Sequence, residues 1–165
     1  MRGQYRKVLM WALYALMFLL CVVIQTVVFG KPRFFGVKLC LIPVCVACVT
    51  MFLGAENGAI YALACGTFWC FAGADGGALH IVFLTVCGAV AGYWCDRYLV
   101  RRFLTGAVMS LLSLAFCQGL LFLFHCYVGT ASLRMAAAVP IQIGLSMLSF
   151  PVFYFAARAI RKAGA

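Results

Sequence analysis

From Val8 to Phe29 the chain runs for 22 residues without a charged side chain. A helix of about 20 apolar residues is what it takes to cross the roughly 30 Å hydrocarbon core of a bilayer. Five further apolar stretches follow, at 36–53, 57–74, 77–95, 103–128 and 136–157. Hydrophobic residues make up 67% of the chain and charged residues 10%, against roughly 45–50% and about 25% in a soluble domain. There is too little polar surface here to wrap a water-soluble globule of 165 residues. The pattern predicts an all-α membrane protein, a single polytopic domain over residues 1–165 with six transmembrane helices. Pro43, Pro140 and Pro151 fall inside predicted helices, where neighbouring helices can satisfy the carbonyls that a proline frees. The third stretch is short and glycine-rich, and its alternative is a re-entrant hairpin with the second.

Charge sets the expected orientation. Six passes with both ends on one side gather nine bases there: Arg2, Arg6, Lys7, Arg97, Arg101, Arg102, Arg158, Arg161 and Lys162. Four lie on the other side: Lys31, Arg33, Lys38 and Arg134. Basic residues favour the cytoplasm, so both termini are expected to be cytoplasmic. The basic first loop runs against that rule. Tyr93, Trp94 and Tyr98 flank Asp96 and Arg97, as aromatic residues do at a membrane interface. The first apolar run is too long for a signal-peptide core and lacks a small-x-small cleavage site, so it reads as a retained anchor. The net charge of +10 sits in clusters at helix ends. That distribution suits anionic lipid headgroups and not nucleic acid.

Small residues recur every fourth position through the third segment: Gly54, Gly58, Ala62, Gly66, Cys70 and Ala74. Spacing of four puts them on one helix face. Gly88 and Gly92 form a GxxxG pair in the fourth segment. Such stripes let helix backbones approach closely in a bilayer. The face formed by Gly54, Gly58, Ala62, Gly66, Gly88 and Gly92 is therefore the expected packing surface, either for a neighbouring helix of the same chain or for a partner.

The remaining chemistry is sparse. Gln25, Asp75, His80, His125 and Gln142 fall toward the outer leaflet on the predicted topology. They could sit wet at the headgroup boundary, face a partner helix, or line an outward-opening ligand pocket. Two histidines and one aspartate on different helices do not make a metal site by spacing. All ten cysteines lie in or beside the apolar segments. Cys45-Val-Ala-Cys48 has redox spacing but sits in mid-helix, where a thiol is a small packing residue. No Ser-His-acid set, carboxylate pair or phosphate-binding loop is present, and no catalytic residue or cofactor is assigned.

The order of features resembles a known family. Gln25 near the end of the first helix is followed by a loop ending FFGVK, an apolar second helix, the hinge GAENGAI and a fourth helix ending GAVAGYW. Together these resemble the rod-shape-determining membrane protein MreD family over nearly the whole chain, most sharply over residues 54–92. The resemblance implies a non-enzymatic component of the bacterial inner membrane in the cell-elongation, peptidoglycan-synthesising machinery. Its expected partners are MreC first, then MreB, RodA and a class B penicillin-binding protein. Family members often carry an acid in the third helix where this chain has Trp69-Cys70, and a proline and an acid where it has Leu39-Cys40. Roles tied to those acids do not carry over.

A second class shares this broad fold: the substrate-binding subunits of energy-coupling-factor vitamin transporters. Their pocket opens outward, where Gln25, His80 and His125 are expected. Their docking stripe of alanines every fourth residue in the first helix is missing here, since Ala12 and Ala15 are three apart and bulky residues follow.

Overall fold

The computed structural model describes residues 2–28, 39–72, 78–98, 102–130 and 133–164. Among them are seven α-helices and no strand. These are α1 (Arg2–Val23, extended by a π-helical turn Ile24–Val28), α2 (Ile42–Leu53), α3 (Ala55–Phe71), α4 (Leu79–Arg97), α5 (Phe103–Tyr127), α6 (Leu133–Met147) and α7 (Phe150–Gly164). Three helical stretches are long and apolar enough to cross a membrane: Gln4–Val27, Leu79–Arg97 and Phe103–Tyr127. The bent pair α6–α7 makes a fourth if it is one span.

The second apolar segment departs from its expected form. Its helix begins at Ile42 rather than at residue 36, with Pro43 in the first turn. Proline suits that position because its missing N–H has no intrahelical acceptor to lose there. Twelve residues rise only about 18 Å, short of the hydrocarbon thickness. Every residue from 40 to 52 is buried. A helix apolar on all sides belongs in the middle of its protein. Accordingly α1, α3, α4, α5 and α7 all pack against α2. Cys45 and Cys48 lie in this core as free thiols.

The contacts fix how the helices run. Tyr14 on α1 donates a hydrogen bond to the Ala157 carbonyl on α7 (3.4 Å), and Tyr61 on α3 donates to the Tyr14 carbonyl (3.2 Å). Phe18 on α1 meets Phe68 on α3 at 5.9 Å, so α1 and α3 run in the same direction. One end of the bundle thus collects the start of α1, the α2–α3 turn at Gly54, the end of α4 and the start of α5. Arg6, Lys7, Arg97 and Arg102 sit at that end.

The sixth apolar stretch was expected as one helix over 136–157. It is two, bent by 43°. Pro151 lies in the first turn of α7. It can donate no hydrogen bond to the Met147 carbonyl, and its ring would crowd that carbonyl in a continuous helix. The break is closed locally instead. The Leu148 and Ser149 N–H groups reach back three residues to Leu145 and Ser146, and the Ser149 hydroxyl donates to the Ser146 carbonyl (2.6 Å). The bend lays α7 across the basic end with Phe150, Tyr154 and Ala157 turned inward. Phe103 and Phe52 meet Tyr154 at 5.2 and 5.7 Å. Arg161 stands over the Phe52 ring at 5.6 Å, a cation–π contact.

Tyr154→Ala should therefore undock α7 and open a cavity beneath α5. Removing a buried aromatic costs roughly 3 kcal/mol or more. The expected result is a markedly lower unfolding midpoint in detergent, with helical circular dichroism retained below it.

Candidate functional site

The glycine face is a seam inside the chain. Gly54, Gly58, Ala62, Gly66, Gly88 and Gly92 are all buried, and the contact of α3 with α4 is the most extensive between any two helices. The two helices run antiparallel, and the small residues meet in register. A Cβ added at Gly92 would lie 2.5 Å from the Gly54 carbonyl oxygen, and one at Gly66 would lie 2.9 Å from Ile81 Cα. A Cβ at Gly88 would come within 2.5 Å of the Ala62 methyl and 3.2 Å of Thr50 Cγ2. A Cβ added at Gly58 would likewise lie 3.1 Å from Thr50 Cβ. Thr50 is fully buried, so this single α2 side chain keys the α3–α4 seam to the central helix. Cys70, next along the stripe, is half-buried. Ala74 lies outside the described residues.

Gly54 does a second job. It is the only residue between α2 and α3, with φ +89° and ψ −179°, a region open only to glycine. Its N–H closes α2 by bonding to the Thr50 carbonyl (3.1 Å). The next residue begins α3, and the Ala55 N–H donates to Asp96 Oδ2 (3.0 Å). The carboxylate therefore comes from the far end of α4 to cap the start of α3. A negative group there also suits the positive end of the helix dipole.

The amino end of α2 needs a different solution. It stops inside the bundle, beside Gln118 of α5, whose side chain lies against the Cys40 thiol. That is about 13 Å short of the end of α5 at Tyr127, from helix rise alone. Non-helical backbone is tolerated at such depth only where protein encloses it and satisfies its polar groups. Gln25 supplies the acceptor: its Oε1 takes the Leu41 N–H (2.8 Å) and the Ile42 N–H (3.2 Å). Ser146 of α6 takes the Cys40 N–H (3.0 Å). Gln25 lies on the π-helical turn and is buried, while Ile24, Thr26 and Val27 on either side are exposed. Thr26 turns its hydroxyl back to the Val22 carbonyl (2.9 Å), which leaves Gln25 as the inward polar group of that turn.

The other polar candidates lie apart from this junction. His80 is buried at the start of α4, and its carbonyl is next to Gly66 across the seam. His125 is half-buried near the end of α5, with Nδ1 2.8 Å from the Leu121 carbonyl of its own helix. Gln142 is half-buried one turn before Ser146. Asp75 lies outside the described residues. Of the four that lie among the described residues, only Gln25 is a part of the α2 junction. Ser146 and Asp96 complete the two helix caps, and neither was singled out from sequence.

Substitutions at the seam and at the cap test this geometry. Gly88→Ala or Gly92→Ala should overpack the seam and lower stability by roughly 1–3 kcal/mol. Gly119→Ala, where an added Cβ meets nothing within 4 Å, should leave the melting midpoint unchanged or raise it. Gln25→Ala should strand two buried donors at about 1–3 kcal/mol each and speed hydrogen exchange at Leu41 and Ile42.

Set against known proteins, the chain has no significant match to any family model, curated protein or solved structure.

Proposed function

We propose that this protein is a non-enzymatic scaffold of the bacterial cell-elongation machinery, of the MreD kind. In this reading the chain passes the inner membrane six times, with α2 and α6–α7 as its irregular passes, and both termini are cytoplasmic. The bases at the Gly54 end, Arg6, Lys7, Arg97, Arg102, Arg158, Arg161 and Lys162 among them, then face the cytoplasm, as the positive-inside rule favours. MreC is the first expected partner, with MreB, RodA and a class B penicillin-binding protein linked to the same assembly.

One observation carries this reading. Polar side chains and glycines hold the helices together: Gln25 and Ser146, both buried, at α2, Asp96 at the start of α3, and the glycines along α3 and α4. The result is a closely packed apolar body. Because its own helices fill the glycine seam, a partner would meet outward faces such as Leu16, Leu20, Leu63 and Phe68, all exposed. The vitamin-transporter reading relies on Gln25, His80 and His125 sharing one outward chamber. Gln25 is instead engaged by the α2 backbone and His125 lies against its own helix.

The test is recovery of the tagged protein from its native membrane in mild detergent, followed by identification of what comes with it. MreC and other elongation proteins are expected. An ATPase pair with a membrane coupling subunit would overturn the scaffold reading in favour of the transporter.

A further inference from the structure

Between α4 and α5 the surface opens into a groove of about 400 Å³. Val86, Val90 and Trp94 form one wall and Leu112, Ala115 and Phe116 the other. All six are exposed, so the groove faces outward from the bundle. The small, buried Ala91 contributes to its lining and leaves room that a larger side chain would fill.

The size of the groove argues for a slender occupant. A helix is a cylinder about 10 Å across with a pitch of 5.4 Å, so 400 Å³ holds only about one turn of it. A flexible hydrocarbon chain fits lengthwise. The two walls run antiparallel, with Phe83 of α4 near Phe116 of α5 (6.2 Å) at one end and Trp94 and Met109 toward the other. That second end points to the basic side of the bundle. Arg97 follows Trp94 by three residues on α4, and Arg102 is the residue that immediately precedes α5, about two turns before Met109. Both arginines are exposed, and Arg97 stacks over Tyr93 at 5.8 Å. Of the two described acids at this end, Asp96 points to the start of α3 and Glu56 lies in the first turn of α3. The groove therefore offers an apolar channel that runs toward the helix ends carrying Arg97 and Arg102.

We propose that this groove binds an anionic phospholipid, with one acyl chain between α4 and α5 and the phosphate at Arg97 and Arg102. The inference is independent of the scaffold reading. It requires only that the basic end lie at a membrane surface.

Trp94 supplies the readout. In a variant carrying Trp11→Phe and Trp69→Phe, Trp94 is the remaining tryptophan. The protein is reconstituted into phosphatidylcholine vesicles with rising fractions of phosphatidylglycerol brominated along its acyl chains. Saturable quenching is expected, with its midpoint at a mole fraction roughly thirtyfold lower than for brominated phosphatidylcholine, as two surface bases at about 1 kcal/mol each would give. Replacing both bases, Arg97→Gln with Arg102→Gln, should abolish that preference. Ala115→Phe should remove the saturable phase in protein that elutes as the parent does. Equal quenching by the two lipids would overturn the proposal, as would a preference that survives loss of both arginines. A photocrosslinker at Ala115 that captures a protein helix in the native membrane would overturn it also.

Discussion

A helix that begins inside a lipid-embedded bundle presents N–H groups where no water can reach them, and the rest of this fold depends on how that problem is met. The Gln25 carbonyl receives two of those groups and the Ser146 hydroxyl a third. Their positions fix the end of α1, the start of α2 and the end of α6 relative to one another. With its amino end held, α2 can be short, apolar on all sides and surrounded by five other helices. It then serves as an axis instead of as a wall facing lipid.

The glycine seam is the complementary device. In lipid, burying apolar side chains gives no hydrophobic driving force between helices, so association relies on close packing and hydrogen bonds. The α3–α4 pair gains close packing by giving up side chains at Gly58, Gly66, Gly88 and Gly92. Thr50 then fits where Gly58 and Gly88 leave space. Asp96 ties the same pair at its end through a charge-assisted bond to a helix terminus. Cap, seam and turn therefore act on the same three consecutive helices, α2, α3 and α4, and the remaining helices enclose them.

Much of this was legible in the chain because the bilayer imposes simple rules. Residues 103–128 were expected as a helix and Phe103–Tyr127 form one. The four-residue repeat from Gly54 marked a packing face, and the glycines meet across the α3–α4 contact. What hydropathy could not convey was length and continuity. Residues 36–53 and 136–157 are each predominantly apolar, but one forms a helix of only twelve residues and the other breaks before Pro151. The proline was the available signal, since it disfavours helix at the residue before it. The caps were not legible, because Gln25 acts 16 residues away and Asp96 acts 41 residues away. A lone glutamine in an apolar run signals only that some polar need exists nearby. Which backbone groups it serves depends on three elements that meet only after folding.

The single-residue link at Gly54 bears on how such a chain enters a membrane at all. A twelve-residue helix is too short to be retained by the translocation machinery as a span in its own right. With one residue between them, α2 and α3 must cross into lipid as a paired hairpin, the short arm carried by the long one. Gln25 is already synthesised at that moment and can receive the first of the exposed donors. Ser146 emerges from the ribosome about a hundred residues later. The acceptor of the Cys40 N–H is thus the last of the junction's groups in chain order.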